Sequence, residues 1–95
     1  MNMKPRIYAD FNKLDGKKRA ILICVGTKQD IERFGINFTE GMQVILYMPD
    51  FDSNGQADPL EVDAVVKRDV DNGWWVGEFA WDELDHISKK GAKRI

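Results

Sequence analysis

Apolar and polar positions alternate with a period of two along most of this chain, and that period predicts strands. Between Arg6 and Phe11, Ile7, Ala9 and Phe11 share one face and Tyr8 takes the other. Between Met42 and Met48, Met42, Val44, Leu46 and Met48 face one way, and Gln43, Ile45 and Tyr47 the other. The stretch 60–69, LEVDAVVKRD, alternates most cleanly, with Leu60, Val62, Ala64 and Val66 inward. In WWVGEFAW, 74–81, Trp75, Gly77, Phe79 and Trp81 oppose Trp74, Val76, Glu78 and Ala80. Ile21 to Val25 is instead a continuous, largely β-branched run, too short for a buried helix. It predicts a central strand covered on both faces, with Cys24 inside.

Turn signals divide these runs. Asp15-Gly16 and Asp71-Asn72-Gly73 predict hairpins, and Glu40-Gly41 precedes the middle strand. One stretch, TKQDIERFG, breaks the strand period. Thr27 is an N-cap candidate, Asp30 approximates a capping box, and Gly35 suits the left-handed position after a helix end. Ile31 and Phe34 share a face, so a short helix is expected over about 27–34. Asp82 can cap a C-terminal helical turn in WDELDHI that lays Leu84 and Ile87 on the core. The expectation is a mainly β fold: a small five-stranded antiparallel barrel in a single domain, 1–88, with a basic, disordered tail, 89–95.

Charge changes the picture of partners. Residues 1–49 carry eight Lys/Arg against five Asp/Glu, whereas 50–85 carry eleven acids against Lys67 and Arg68. Nucleic-acid binders need a basic face, and the body of this chain is acidic, so no nucleic-acid partner is expected. No apolar run approaches the roughly 18 residues of a membrane span, and the start, MNMKPRIYADFN, has no apolar signal core. A cytoplasmic monomer is expected.

The phrases YADFNKLD, then GINFTEGMQVILY, then DPLEVDAVV followed by GWWVGEFAWDELDH, resemble a family of small bacterial proteins of uncharacterised function with an SH3-like barrel. The likeness spans most of 7–87. It implies an SH3-like barrel and a bacterial origin, and it brings no active-site residues.

Candidate chemistry lies in three places. The stretch DFDSNGQADPLE, 50–61, fits the calcium-loop pattern D-x-[DN]-x-[DN]-G-x₅-E. Asp50, Asp52, Asn54, Gln56 (by its carbonyl), Asp58 and Glu61 would be the ligands, with Gly55 at the turn. The flanks are strands rather than the helices of an EF-hand, and Glu61 belongs to a strand face. The expectation is therefore a solvated hairpin loop, with a divalent-cation site as the alternative.

Catalysis has little to work with. His86, the single histidine, is expected exposed beside Asp85, and Cys24, the single cysteine, is expected in the core. One cysteine and one histidine make neither a disulfide nor a zinc centre. No enzyme and no cofactor are expected. The third place is aromatic: Trp74 and Trp75 are adjacent in a strand and point to opposite faces, and Tyr47 leaves the apolar face of its own. Tyr47, Trp74 and Trp75 are the candidate residues of a groove for a protein or peptide partner.

Overall fold

The computed structural model describes residues 4–89. Strands β1 (Arg6–Tyr8) and β2 (Ala20–Ile21) precede helix α1 (Val25–Arg33). Strands β3 (Gln43–Met48), β4 (Leu60–Asp69) and β5 (Trp74–Glu78) follow, then a 3₁₀ turn, Trp81–Glu83, and β6 (Asp85–His86). They form one sheet in the order β1-β3-β4-β5-β2, with β6 on β4, curled into an open half-barrel. The basic tail expected over 89–95 lies, from 90 onward, outside the described residues.

The alternation read from the sequence sets the inner face. Ile7, Ala9, Val44, Leu46, Val62, Val66 and Ala20 are buried completely, and Phe11, Leu22 and Ala64 nearly so. Leu46 lies so close to Gly77 that a Cβ there would stand 2.8 Å from its Cδ1. At Gly77 β5 crosses the core because it carries no side chain to displace Leu46.

The sheet is mixed rather than antiparallel. β1 pairs with β3 in parallel, whereas β3–β4, β4–β5, β2–β5 and β4–β6 are antiparallel. The Asp15-Gly16 turn closes only an isolated bridge, Leu14 with Ala20. It is wider than the two-residue hairpin expected, because the Asp15 carboxylate gathers the N–H groups of Lys17 and Arg19 and puts Lys18 at φ 60°. The Arg19 guanidinium reaches both Asp15, at 2.7 Å, and Asp69, at 3.3 Å, which directs the second arm to β5 instead of β1.

The run Ile21 to Val25 is not a central strand. Leu22 still donates its N–H to Trp75, but Ile23 and Val25 are exposed and α1 begins at Val25. Cys24 is therefore the half-buried N-cap residue, not a core residue. Thr27, expected as the cap, sits inside the helix and buried. Strand propensity yields here to hydrogen bonds that α1 makes with β1.

The end of α1 follows the sequence. Gly35 takes φ 63°, Ile36 N–H donates to Ile31 C=O and Gly35 N–H to Glu32 C=O, which is a Schellman motif. Asp82 caps nothing: Ala80 precedes the 3₁₀ turn, and Asp85–His86 adds to β4 as a strand.

Candidate functional site

The most developed polar arrangement lies where α1 meets the edge of β1. Residues three apart share a helix face, so Thr27 and Asp30 both look at Tyr8. The Thr27 hydroxyl donates to the Tyr8 carbonyl, and the Tyr8 N–H donates to Asp30 Oδ2 at 2.9 Å. The two side chains do for this edge what a neighbouring strand would do. Asp30 Oδ2 also accepts the Tyr47 phenol at 2.9 Å, and the Tyr8 and Tyr47 rings meet edge to face at 5.9 Å. Cys24 Sγ lies 3.0 Å from the Thr27 hydroxyl. Gly26 allows the close approach, since a Cβ there would stand 2.6 Å from the Tyr8 ring.

Electrostatics follow from this packing. Burial raises the Tyr47 pKa, and the hydrogen bond and negative charge of Asp30 raise it further, while Arg6 and Arg33 oppose them. Burial likewise raises that of Tyr8, assisted by Asp10 and Cys24. The Arg6 guanidinium lies over the Tyr47 ring, 4.1 Å from its centre, and also bonds Glu61 at 3.1 Å. Tyr47 is thus held on both sides, with its hydroxyl engaged.

Beside this arrangement opens an apolar groove of about 400 Å³, lined by Lys4, Pro5, Arg6, Phe34 and Ile36. Phe34, the residue that ends α1, is 58% exposed. Single exposed apolar residues are ordinary, and contiguous apolar patches are what mark contact surfaces; Phe34 adjoins Pro5 and Ile36 in one concavity. Phe34 and Asp30 stood in the sequence as a helix face ending at Gly35. The strand that this face covers, Arg6–Tyr8, lies more than twenty residues earlier, and no local period links the two.

The aromatic triad expected from the sequence does not come together. Tyr47 and Trp74 share the outer face, but their partners on β4, Glu61 and Asp69, are eight residues apart, roughly 26 Å at about 3.3 Å per residue. Trp75 turns inward, packed against Phe38 at 6.1 Å with Arg68 over its ring. Trp74 is half-buried, and its indole Nε1 is buried without a hydrogen-bond partner among the described residues. Strand parity separates the tryptophans as expected, yet neither stands free on the surface.

The acidic loop is a small hairpin, bridged at Phe51 and Ala57. Its candidate ligands are engaged separately. Asp52 Oδ1 accepts the N–H groups of Asn54 and Gln56, and the Gln56 carbonyl accepts the Asp52 N–H. Asp58 bonds Ser88 through its hydroxyl, at 2.7 Å, and its N–H. Glu61 pairs with Arg6. Asp50 Oδ2 lies 2.8 Å from His86 Nε2, so His86 is half-buried against the loop rather than exposed. The His86 contact holds the Asp50 carboxyl below the usual carboxylate range, and Ser88 does the same for Asp58. Among the described residues no three His, Cys, Asp or Glu side chains are gathered for a metal ion.

His86 and Cys24 have separate partners, Asp50 and Thr27, and no hydrogen bond joins them. Among the described residues no helix is long and apolar enough to cross a membrane. No family model, curated protein or solved structure matches the chain.

Proposed function

We propose that the protein is a non-catalytic binding module, an SH3-like half-barrel of the bacterial cytoplasm that engages another protein through a peptide segment. The SH3-like assignment is supported by the small curled sheet and by the 3₁₀ turn that interrupts its last two strands. The binding surface is the groove at the end of α1, in place of the aromatic triad.

One observation carries this reading: Phe34 stands largely in solvent beside Pro5 and Ile36, at a helix end closed by the hydrogen bonds of Gly35 and Ile36. A preorganised apolar socket loses little freedom on binding. The flanking Lys4 and Arg6 add polar recognition to an otherwise apolar lining.

Selection of displayed random peptides against the protein, followed by ¹⁵N amide mapping, tests the proposal. Selected peptides are expected to shift the Phe34 and Ile36 amides and to lose binding to Phe34→Ser. Peptides that bind Phe34→Ser equally well would remove the groove from consideration.

A further inference from the structure

The open half of the β1 edge gives that groove a specific binding mode. β1 uses alternate residues to pair with β3: the Pro5 carbonyl accepts from Ile45 N–H, and Ala9 N–H donates to the Tyr47 carbonyl. Alternation turns the N–H and C=O of the intervening residues, Arg6 and Tyr8, to the opposite side. At Tyr8 both groups are taken by α1, through Asp30 and Thr27. At Arg6 they face the side on which the groove opens, because the helix has ended by Arg33.

The surroundings say what would pair there. Among the described residues Lys4 and Arg6 line the groove and no acid does. Their present partners are Asp63 at 3.3 Å, an exposed carboxylate, and Glu61 at 3.1 Å, whose side chain is largely buried, while the Lys4 and Arg6 side chains are 38% and 43% exposed. The Lys4 pair is of the weak surface kind that exchanges readily for another, and the exposed part of the Arg6 guanidinium leaves it able to meet a second carboxylate beside Glu61. An uncovered strand edge is a template for another strand. In strand addition the main chain supplies affinity and alternate side chains supply specificity.

We propose that the groove binds an acidic, extended peptide that adds as a strand to the β1 edge at Lys4–Arg6, placing one apolar side chain between Pro5, Phe34 and Ile36. This rests on the reading of the protein as a binding module and names the partner's chemistry. The acidic residues on either side of the apolar anchor meet Lys4 and Arg6.

The probe is the synthetic peptide acetyl-EEVEVEE-amide, followed by amide mapping and hydrogen exchange on the full chain. It is expected to shift Phe34 and Ile36 and, at saturation, to slow exchange of the Arg6 amide about tenfold or more. The lysine counterpart KKVKVKK should bind about tenfold more weakly. Of the two alternately N-methylated forms of the acidic peptide, the one lacking donors on the docking edge should lose about tenfold in affinity. Phe34→Ser should weaken binding by a similar factor, about tenfold, with an unchanged melting temperature.

Shifts at Phe34 without protection of Arg6 would overturn strand addition while leaving a binding groove. Equal affinity for both charge forms would overturn the acidic partner. Concentration-dependent protection of Arg6 in the protein alone would assign the edge to a second copy and overturn the proposal. If neither this probe nor any displayed peptide reached the groove, the binding-module reading would fail as well.

Discussion

The Asp30 carboxylate and the Tyr47 phenol meet at 2.9 Å, across the gap between helix and sheet, on the same oxygen that holds the Tyr8 N–H. Asp30 is only 6% exposed. One buried carboxylate thereby fixes α1 to two strands, β1 through the backbone and β3 through a side chain.

Tyr47→Phe should lower unfolding free energy by about 1.5 kcal/mol, the lower end of the net worth of a hydrogen bond to a charged group. Asp30→Ala strands both donors and should cost about 2–4 kcal/mol. The two losses should be less than additive by about 1 kcal/mol in a double-mutant cycle, measured by urea denaturation. Strict additivity would mean that the phenol contributes independently of Asp30.

Gly26→Ala sets two effects against each other. Alanine favours a helix by up to about 1 kcal/mol, but its Cβ would meet the Tyr8 ring at 2.6 Å. Overpacking of this kind costs about 1–3 kcal/mol, so a net loss is expected. The paired variant Gly26→Ala with Tyr8→Ala should remove the clash and show it as a favourable coupling.

Asp15 supplies a dependence on pH. Burial raises its pKa, but the N–H groups and side chain of Arg19, with Lys17, more than offset this, and the net pKa lies below the usual carboxylate value. A depressed folded pKa stabilises the native state above the unfolded value, about 3.9. That stabilisation is lost as pH falls from there through the folded value. Asp15→Asn should therefore flatten the acid limb of stability against pH below about pH 4, leaving its shape near pH 7 unchanged. An unaltered acid limb would count against the Asp15–Arg19 account.

The sequence made most of the inner face legible because side chains alternate along a strand: Ile7, Val44, Leu46, Val62 and Val66 fell where alternation put them. Val76, however, read onto the opposite face from Gly77, is buried too, and Trp81, read onto the inner face, is exposed in the 3₁₀ turn. The sequence also marked the helix end through Gly35. It did not reveal that β1 pairs with β3, since a parallel pairing depends on contacts some forty residues apart and leaves no local signal. Thr27 and Asp30 misled for a physical reason. A three-residue spacing fits a capping box, and it equally fits two side chains on one helix face turned toward a strand. Val25 exposed and Leu22 buried show the limit of reading a β-branched run by propensity alone.

The tryptophans should separate in stability measurements. Trp75, packed on Phe38 and the core, should cost about 3 kcal/mol on replacement by Ala, the lower end for a large aromatic because it is only half-buried. Trp74→Phe removes a buried donor that has no partner among the described residues, and deleting an unsatisfied group regains about 1 kcal/mol. It should therefore be nearly neutral or stabilising. A loss at Trp74→Phe as large as at Trp75→Ala would mean that the Nε1 group has a partner.

Amide hydrogen exchange at Arg6 and Tyr8 tests most directly the claim that α1 closes one half of the β1 edge and leaves the other open. In the free protein the Tyr8 amide, bonded to Asp30, is expected to exchange slowly and that of Arg6 quickly, although both lie in one short strand. Asp30→Ala should release Tyr8 to the rate of Arg6, while Ala9, which bonds Tyr47, stays more protected than either. Equal and strong protection of Arg6 and Tyr8 in the free protein would contradict the account, because the edge would then be covered along its whole length.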